Sequence, residues 1–520
     1  MHAVLLFKER ISLLGLLPLF AVLPFVANTA SAQFFQQGDK LVGVGAIRGL
    51  SGPFQGSSVA LSADGNTAIV GGWVDSSETG AVWIFTRSGS AWNQQGSKLV
   101  GSGAVGPARQ GISVSLSSDG STALLGGVLD SSSTGAAWVF TRTNGMWSQQ
   151  GNKLVGTGTV GRSEQGVSVS LSADGNTALV GGSFDDSLTG AAWVFTRTGN
   201  VWSQQGSKLV GTGAVGYSLQ GCSVSLSADG NTALVGGYAD NGEVGAAWIF
   251  TRSGGVWSQQ GGKLAGTGSD GIARQGHAVS LSADGNTAIL GGYEDNNLLG
   301  AAWVFIRTDG IWSQQGSKLV PSDAERGAFG SFHGYSVSLS GDGNTAIVGG
   351  YTDSSFTGAA WVYTRTHGGW SQLGNKLVGT GSAGKAEQGV AVDLSTDGST
   401  ALVGGFADDN FNGAAWVFSR TVTNTGVIGE KAPSQLRLEQ NYPNPFNPTT
   451  EIRYQVTGDR DVRLAVYDLL GREVAVLVNG RVSSGTHEVR FHASGLASGV
   501  YFYRLTAGDF VATKRLLLLK

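Results

Sequence analysis

Cysteine is almost missing from this 520-residue chain. Cys222 stands alone, so no disulfide can form within it. Charge is scarce as well: Asp, Glu, Lys and Arg make up 14% of residues, against roughly a quarter in ordinary globular domains. No basic block occurs, which argues against a nucleic-acid partner. Histidine is limited to six residues, and among His277, His333, His367, His487 and His492 none share metal-ligand spacing in the body of the chain. The signatures G-x-S-x-G, HExxH and the P-loop are absent. The expectation is therefore a protein that is not an enzyme and needs no metal or cofactor. Helical periodicity is missing throughout. After the first 32 residues no apolar run approaches the roughly 20 residues needed to cross a membrane.

What is present is glycine, 84 residues of it, with 41% hydrophobic residues and 14 Trp. Many short apolar runs between tight turns point to an all-β protein, and this much apolar content excludes disorder. The net charge of −3 is unevenly spread. Residues 33–433 carry −7 and residues 434–520 carry +3, a mildly acidic body that keeps the protein soluble without naming a partner.

The strongest signal is repetition. Asp-Gly pairs begin at Asp64, Asp119, Asp174, Asp229, Asp284, Asp342 and Asp397, spaced 55 residues apart except for 58 between Asp284 and Asp342. One tryptophan series runs through Trp83, Trp138, Trp193, Trp248, Trp303, Trp361 and Trp416. A second runs through Trp92, Trp147, Trp202, Trp257, Trp312 and Trp370, with Phe34 in the seventh place. Cys222 fills a slot taken elsewhere by Ser57, Ile112, Val167, His277, Tyr335 and Val390, so it reads as packing.

Each unit offers four strand-like runs. In the third, Ser168–Ser172 alternates with period two, and Asp174-Gly175 follows as a hairpin turn. Thr177–Val180 leads into Gly181-Gly182. Gly190–Arg197 is apolar on both faces, as a sheet sandwiched between neighbours requires. Trp202–Val210 is Gln- and Ser-rich, as suits an outer edge. Four strands in each of seven units is the arithmetic of a seven-bladed β-propeller over residues 33–420. Phe34–Val42 has the outer-strand pattern with no unit before it, and the unit ending near Arg420 lacks that strand. Residues 34–42 are expected to complete the last blade.

Residues 1–32 read as a secretory signal: Lys8 and Arg10, an apolar run from Ile11 to Val26, then Ala30-Ser31-Ala32, with cleavage after Ala32.

The unit Q-G-x-S-V-S-L-S-x-D-G-x-T-A-L-V-G-G…G-A-A-W-V-F, exemplified by Gln165-Gly166, Val169, Asp174-Gly175, Val180-Gly181-Gly182 and Gly190–Phe195, resembles the FG-GAP repeat of integrin α-like propellers. That resemblance implies that the S-V-S-L-S strand lies innermost. Many such repeats bind calcium in the first hairpin. Here the loop from Ser172 to Thr177 holds one carboxylate, whereas calcium takes six to eight oxygens, so no metal is expected. Residues 434–520, after a linker at 421–433, resemble a type IX secretion C-terminal sorting domain. The carrying motif is Asn441, Tyr442, Pro443, Asn444, Pro445, Phe446, Asn447 and Pro448, with Gly471-Arg472-Glu473 and Gly499-Val500-Tyr501 further on. Its short strand-like runs suggest a small Ig-like β-sandwich. The resemblance implies recognition by the type IX translocon and a final location in the medium or at the cell surface, associated with the outer membrane.

Each unit also carries an Asp in the loop after its Gly-Gly pair: Asp75, Asp130, Asp185, Asp240, Asp295, Asp353 and Asp408. With Trp73, Tyr238, Tyr293, Tyr351 and Phe406 nearby, they form an expected rim for a glycan or protein ligand. The competing reading is that each Asp caps its own turn. The two longest loops, Gly43–Phe54 and Pro321–Phe332, open on the same rim. Three functions follow as expectations: a binding or adhesion module, a self-assembling surface component using the Gln-rich outer strands, and an extracellular enzyme on polysaccharide, the last lacking a unique carboxylate pair.

Overall fold

The computed structural model describes residues 33–366, 368–420 and 436–519, the last apart from 439, 442, 443, 458, 459, 483, 484 and 494. The signal segment, Ala32, the linker, Tyr442 and Pro443 lie outside the described residues. The chain divides into two compact units, one of them Ser31–Val422.

That unit is all-β and contains seven four-stranded antiparallel sheets. The third is typical: Ser168–Leu171, Thr177–Gly182, Ala191–Thr198 and Val201–Gln204 pair in that order. Alternation in the first strand, branched residues in the second and a fully buried Ala-Ala-Trp-Val-Phe in the third give the pattern its shape. Sheets are numbered here by the chain order of their inner strands, from Ser58–Leu61 to Ala391–Leu394.

The core lies between sheets. Leu124, Ala137 and Val139 of the second sheet pack with Val169, Val180, Trp193 and Phe195 of the third, and the same set recurs at each junction. Glycine permits the close approach. A Cβ on Gly126 would come within 2.0 Å of Gly166 O, and one on Gly101 within 2.2 Å of the Trp138 ring. The freed space admits seven Trp side chains with no exposed surface, each burying roughly 200 Å².

Backbone hydrogen bonds link the inner hairpins in a circle. Ala63 N donates to Ser118 O, Ser118 N to Ala173 O, Ala173 N to Ala228 O and Ala228 N to Ala283 O. Ala283 N then donates to Gly341 O, Gly341 N to Thr396 O, and Thr396 N returns to Ala63 O, all at 2.8–2.9 Å. The seventh sheet takes its outer strand from the start of the unit. Phe34, Phe35 and Gln36 pair with Arg420, Ser419 and Phe418, and Leu41 bridges Ala415. The side chain of Lys40 reaches Asp408 at 2.5 Å.

The outer-strand glutamines are consumed within this ring. Gln150 Oε1 of the second sheet accepts from Arg197 at 3.0 Å and Trp202 at 2.9 Å in the third, and Gln95, Gln205, Gln260 and Gln315 act likewise at their junctions. Through Oε1 they stitch neighbouring sheets.

The C-terminal unit holds a three-stranded sheet, Arg437–Leu438, Thr449–Val456 and Gly485–His492, and a four-stranded sheet. The latter orders Glu473–Val482, Arg460–Tyr467, Gly499–Ala507 and Phe510–Leu518. Both contribute to one apolar core, the first through Ile452 and Tyr454, the second through Val462, Leu464, Tyr503, Leu505 and Leu516.

Candidate functional site

The second strand of every sheet runs through its Gly-Gly pair into a tight turn. In the first sheet this turn is Asp75–Glu78, with Ser76 and Ser77 at φ 52° and 57° and Glu78 at 68°. Three successive left-handed residues cost roughly 1–2 kcal/mol each. Where the sequence permits, it lowers that cost with residues suited to positive φ, as at Asn241-Gly242, Asn296-Asn297 and Asp409-Asn410.

The buried aspartate offsets the rest. Asp130 is fully buried; its Oδ1 accepts from Val105 N at 2.8 Å and its Oδ2 from Lys153 Nζ at 2.5 Å. Asp75, Asp185, Asp240, Asp295, Asp353 and Asp408 repeat this with Lys98, Lys208, Lys263, Lys318, Lys376 and Lys40. All seven are at most 1% exposed. The expectation of a ring of ligand-facing carboxylates is thereby corrected. Both oxygens of each are engaged inside the protein, and each fixes the turn and the loop beside it.

Four of the seven loops held by these pairs turn an apolar side chain outward. The backbone N–H groups bonded to the seven carboxylates belong to Ile47, Val105, Val160, Val215, Asp270, Glu325 and Ala383. The side chains of Ile47, Val105, Val160 and Val215 are 52–60% exposed. Leu50 and Tyr217 in the same loops are more exposed still. Four consecutive loops therefore present an apolar arc, and the next two present Asp270 and Glu325.

Nearer the axis on the same end lie the aromatic residues. Tyr238, Tyr293 and Tyr351 gather round His277 and Tyr335, with centroid separations of 5.6 Å for Tyr238–His277 and 4.6 Å for His277–Tyr293, His277–Tyr335 and Tyr335–Tyr351. Arg274 lies over Tyr238 and Tyr293 at 5.6 Å, donates to Tyr293 Oη at 2.8 Å and pairs with Glu243. Burial holds the His277 ring neutral, lowering its pKa to about 4, and pushes the Tyr293 hydroxyl up to about 12. Trp73 and Phe406 join a second cluster through Phe54, at 5.2 and 5.3 Å, and Arg109 covers Trp73 at 4.7 Å. At the equivalent positions the second and third sheets carry Val128 and Ser183, so the aromatic ring is open on that side.

Phe54, Arg274 and Phe332 are additions to the expected site. They occupy one slot, two residues before the glycine of the Gln-Gly or His-Gly pair, and the other sheets fill it with Arg109, Glu164, Leu219 and Glu387, all at φ 53–61°. Variation at a constrained left-handed position inside an otherwise uniform repeat was the available signal. Cys222 packs in its slot, Sγ at 3.4 Å from Gly236 O and Gly276 O, and burial raises its thiol to about 12.

The opposite end of the ring carries the Asp-Gly hairpins. Burial would raise the Asp64 pKa, but hydrogen bonds from Ser62 Oγ and from Asn66 N and Nδ2 outweigh it and leave the group below the usual carboxylate range. The axial channel behind these hairpins, about 190 Å³ at this end, is lined by equivalent residues of all seven inner strands. One position carries a charge in a single strand: Asp393 stands where five other strands have Ser115, Ser170, Ser225, Ser280 and Ser338 and the first has Ala60. Its carboxylate accepts from Leu61 N at 2.7 Å and Ser338 Oγ at 2.8 Å. With no cation beside it, burial pushes its pKa up to about 6.

In the C-terminal unit the motif residues largely build the fold. Asn441 is buried; its N–H donates to Tyr503 Oη and its amide to Thr450 Oγ1. Asn444 Oδ1 accepts from Leu517 N, and Phe446 exchanges backbone bonds with Leu517 and Leu519. Asn444, Pro445 and Asn447 remain exposed, and Pro448 is half-buried.

Residues 440–519 match the family model described as "Secretion system C-terminal sorting domain". No curated protein matches the chain. Among solved structures it is similar to hydrazine synthase of Kuenenia stuttgartiensis, at 12% identity and TM-score 0.45 over 74% of this chain and 99% of that one. It is similar to the periplasmic gluconolactonase PpgL of Pseudomonas aeruginosa, at 18% and 0.43 over 66% and 93%. A third likeness is to the GH74 xyloglucanase of Xanthomonas campestris, at 15% and 0.44 over 92% and 66%. Likenesses this distant assign no activity. The sorting domain implies export by type IX secretion, to the medium or the cell surface. Among the described residues no helix is long and apolar enough to cross a membrane.

Proposed function

We propose that residues 34–420 are a seven-bladed β-propeller of the FG-GAP kind which binds a protein ligand without catalysis, carried to the cell surface by an Ig-like sorting domain. The observation that carries this reading is the apolar arc of Ile47, Leu50, Val105, Val160, Val215 and Tyr217, solvent-exposed on the end that also holds the aromatic clusters. Exposed apolar side chains recurring on four consecutive loops of one end, rather than scattered singly, suit an interaction surface. Every loop in the arc is pinned by a buried Asp–Lys pair, so the surface is preorganised and binding costs little further ordering. The apolar centre with Asp270 and Glu325 at its border has the make-up of a protein interface rather than of a sugar groove.

The test uses the exported full chain. A binding partner captured by cross-linking at the cell surface is purified and titrated against the native chain and against one carrying Val105→Asp, Val160→Asp and Val215→Asp. These positions are exposed, so the fold tolerates the changes. Binding is expected to fall by roughly 2 kcal/mol or more for a central patch. Unchanged affinity, or selective retention on a glycan surface by the triple variant, would remove the arc from the interface.

A further inference from the structure

The axial channel carries a charge that the fold does not require. Two cavities of about 190 and 210 Å³ follow one another along it from the Asp-Gly end inward, and Leu61, Leu116, Ser280, Ser338 and Asp393 border both. Small residues stand at the mouth: Ala63, Ala173, Ala228, Ala283 and Gly341. Asp393 is the one charged residue lining either cavity.

The hydrogen bonds show what Asp393 does for the fold. Ser115, Ser170, Ser225 and Ser280 each accept, through Oγ, the N–H of a leucine on the next inner strand: Leu171, Leu226, Leu281 and Leu339, at 3.0–3.1 Å. Asp393 Oδ2 accepts the Leu61 N–H in the same way, at 2.7 Å. A serine would satisfy that N–H without placing a charge in the channel. The carboxylate is therefore more than the strand edge needs.

The backbone around it adds acceptors. Opposed residues in an antiparallel pair alternate between those that exchange both N–H···O bonds and those that exchange neither. Leu226 lies opposite Ala233 and gives its N–H to Ser170, so this pair exchanges neither. The Leu226 carbonyl then turns away from the second strand, toward the axis. Leu61, Leu171, Leu281 and Leu339 repeat this arrangement. Leu116 and Leu394 hold the same register opposite Ala123 and Ala401. All seven leucines line the cavity at the Asp-Gly end. Their carbonyls make a ring of partial negative charge, with one full negative charge beside it.

Such a lining selects a cation, and its width selects the kind. The cavity of about 190 Å³ is several times the ~30 Å³ share of one water. Its walls stand too far apart to close on a bare calcium ion at about 2.3–2.6 Å. A primary ammonium group spans more of the space. It brings one charge and three N–H donors, and an aliphatic stem extends it along the axis. We propose that the axial channel binds a primary ammonium group on an unbranched aliphatic stem, with Asp393 as counter-ion and the leucine carbonyls as acceptors. This site opens on the end opposite the apolar arc and does not rest on the ligand assigned there.

Saturation-transfer NMR on the full exported chain tests the assignment at pH 8, where Asp393 is ionised. The probes are n-pentylammonium, pentan-1-ol as its neutral counterpart, and Nα-acetyl-lysine methylamide. Transfer to pentylammonium is expected, at an affinity of about 1 mM, with none to the alcohol. Transfer to the lysine amide as well assigns the site to a lysine side chain of a protein; transfer to pentylammonium alone assigns it to a free amine. Asp393→Asn keeps an oxygen for the Leu61 N–H and is expected to weaken binding roughly tenfold or more. Asp393→Ser, which carries the residue of five other strands, is expected to do the same, so the result does not hang on the folding of one variant. Both variants should keep the native affinity at the apolar arc, which separates failure here from failure there. Absence of transfer to both amines would overturn the proposal. So would equal transfer to the alcohol, undiminished binding in both variants, or displacement of the amine by millimolar calcium.

Discussion

Asp393→Ser gives the seventh inner strand the serine that five other inner strands carry, and its effect on stability follows from one buried charge. The ordinary aspartate pKa is 3.8 and that of Asp393 is about 6. The folded state therefore holds the proton more tightly than the unfolded chain does. Stability is greatest with the group protonated, falls as pH rises between these two values, and is level above about 6. At 1.36 kcal/mol per unit, the ionised carboxylate costs about 3 kcal/mol at neutral pH. This is an upper figure, because the group lines the channel and confined water solvates it in part. Serine removes the charge and can still accept from Leu61 N, as Ser115 Oγ accepts from Leu171 N at 3.0 Å. The variant should thus gain about 1–3 kcal/mol at pH 8 and nothing below pH ~4. Guanidinium unfolding of both proteins across this range measures it. Equal stabilities at pH 8, or a gap that widens toward acid, would refute the reasoning.

Two other substitutions probe the turns. Asp130→Ala strands Lys153 and the Val105 N–H, and should cost about 3 kcal/mol, the low end for a buried pair because Lys153 is partly exposed. Denaturant midpoints give the value, and a loss within error would mean that the left-handed turn holds itself. Ser132→Gly, at φ 58°, should stabilise by about 1 kcal/mol in the same assay, since glycine carries no penalty there; a destabilised variant would contradict the strain assigned to the turn.

The repeat was legible because its constraints are local in sequence. Trp138 and the Gly126-Gly127 pair recur at fixed distance, since the Trp138 ring needs the space Gly127 leaves and the backbone at Gly166 needs the space Gly126 leaves. The partner of the outer strand Phe34–Gln36 could be inferred by counting strands. The role of Asp130 was harder to read, because a turn-capping Asp and a buried Asp have the same local sequence. The distinguishing sign was Lys153, 23 residues downstream, an interval repeated at Lys98, Lys208, Lys263, Lys318 and Lys376. The aromatic residues Tyr238, Tyr293 and Tyr351 were found as departures from the repeat. Their association with Arg274 and His277 depends on contacts across neighbouring sheets, which no local spacing encodes. Asp393 was visible as the one charged residue at a position held otherwise by Ser or Ala60, but its significance rests on the channel formed by all seven inner strands. In the sorting domain, Asn441 reads as part of a surface motif, yet its side chain is spent inside the fold on Thr450.

The central claim is a ring closed by the segment that begins it, and hydrogen exchange at two amides tests it most directly. Gln37 N donates to Val417 O at 2.8 Å and Leu41 N to Ala415 O at 2.7 Å, matching Gln95 N to Ile84 O and Leu99 N to Val82 O in the first sheet. The account predicts equal protection at the four sites, because opening any one requires parting an outer strand from its sheet. Unprotected amides at Gln37 and Leu41, beside slow exchange at Gln95 and Leu99, would mean that the ring is open.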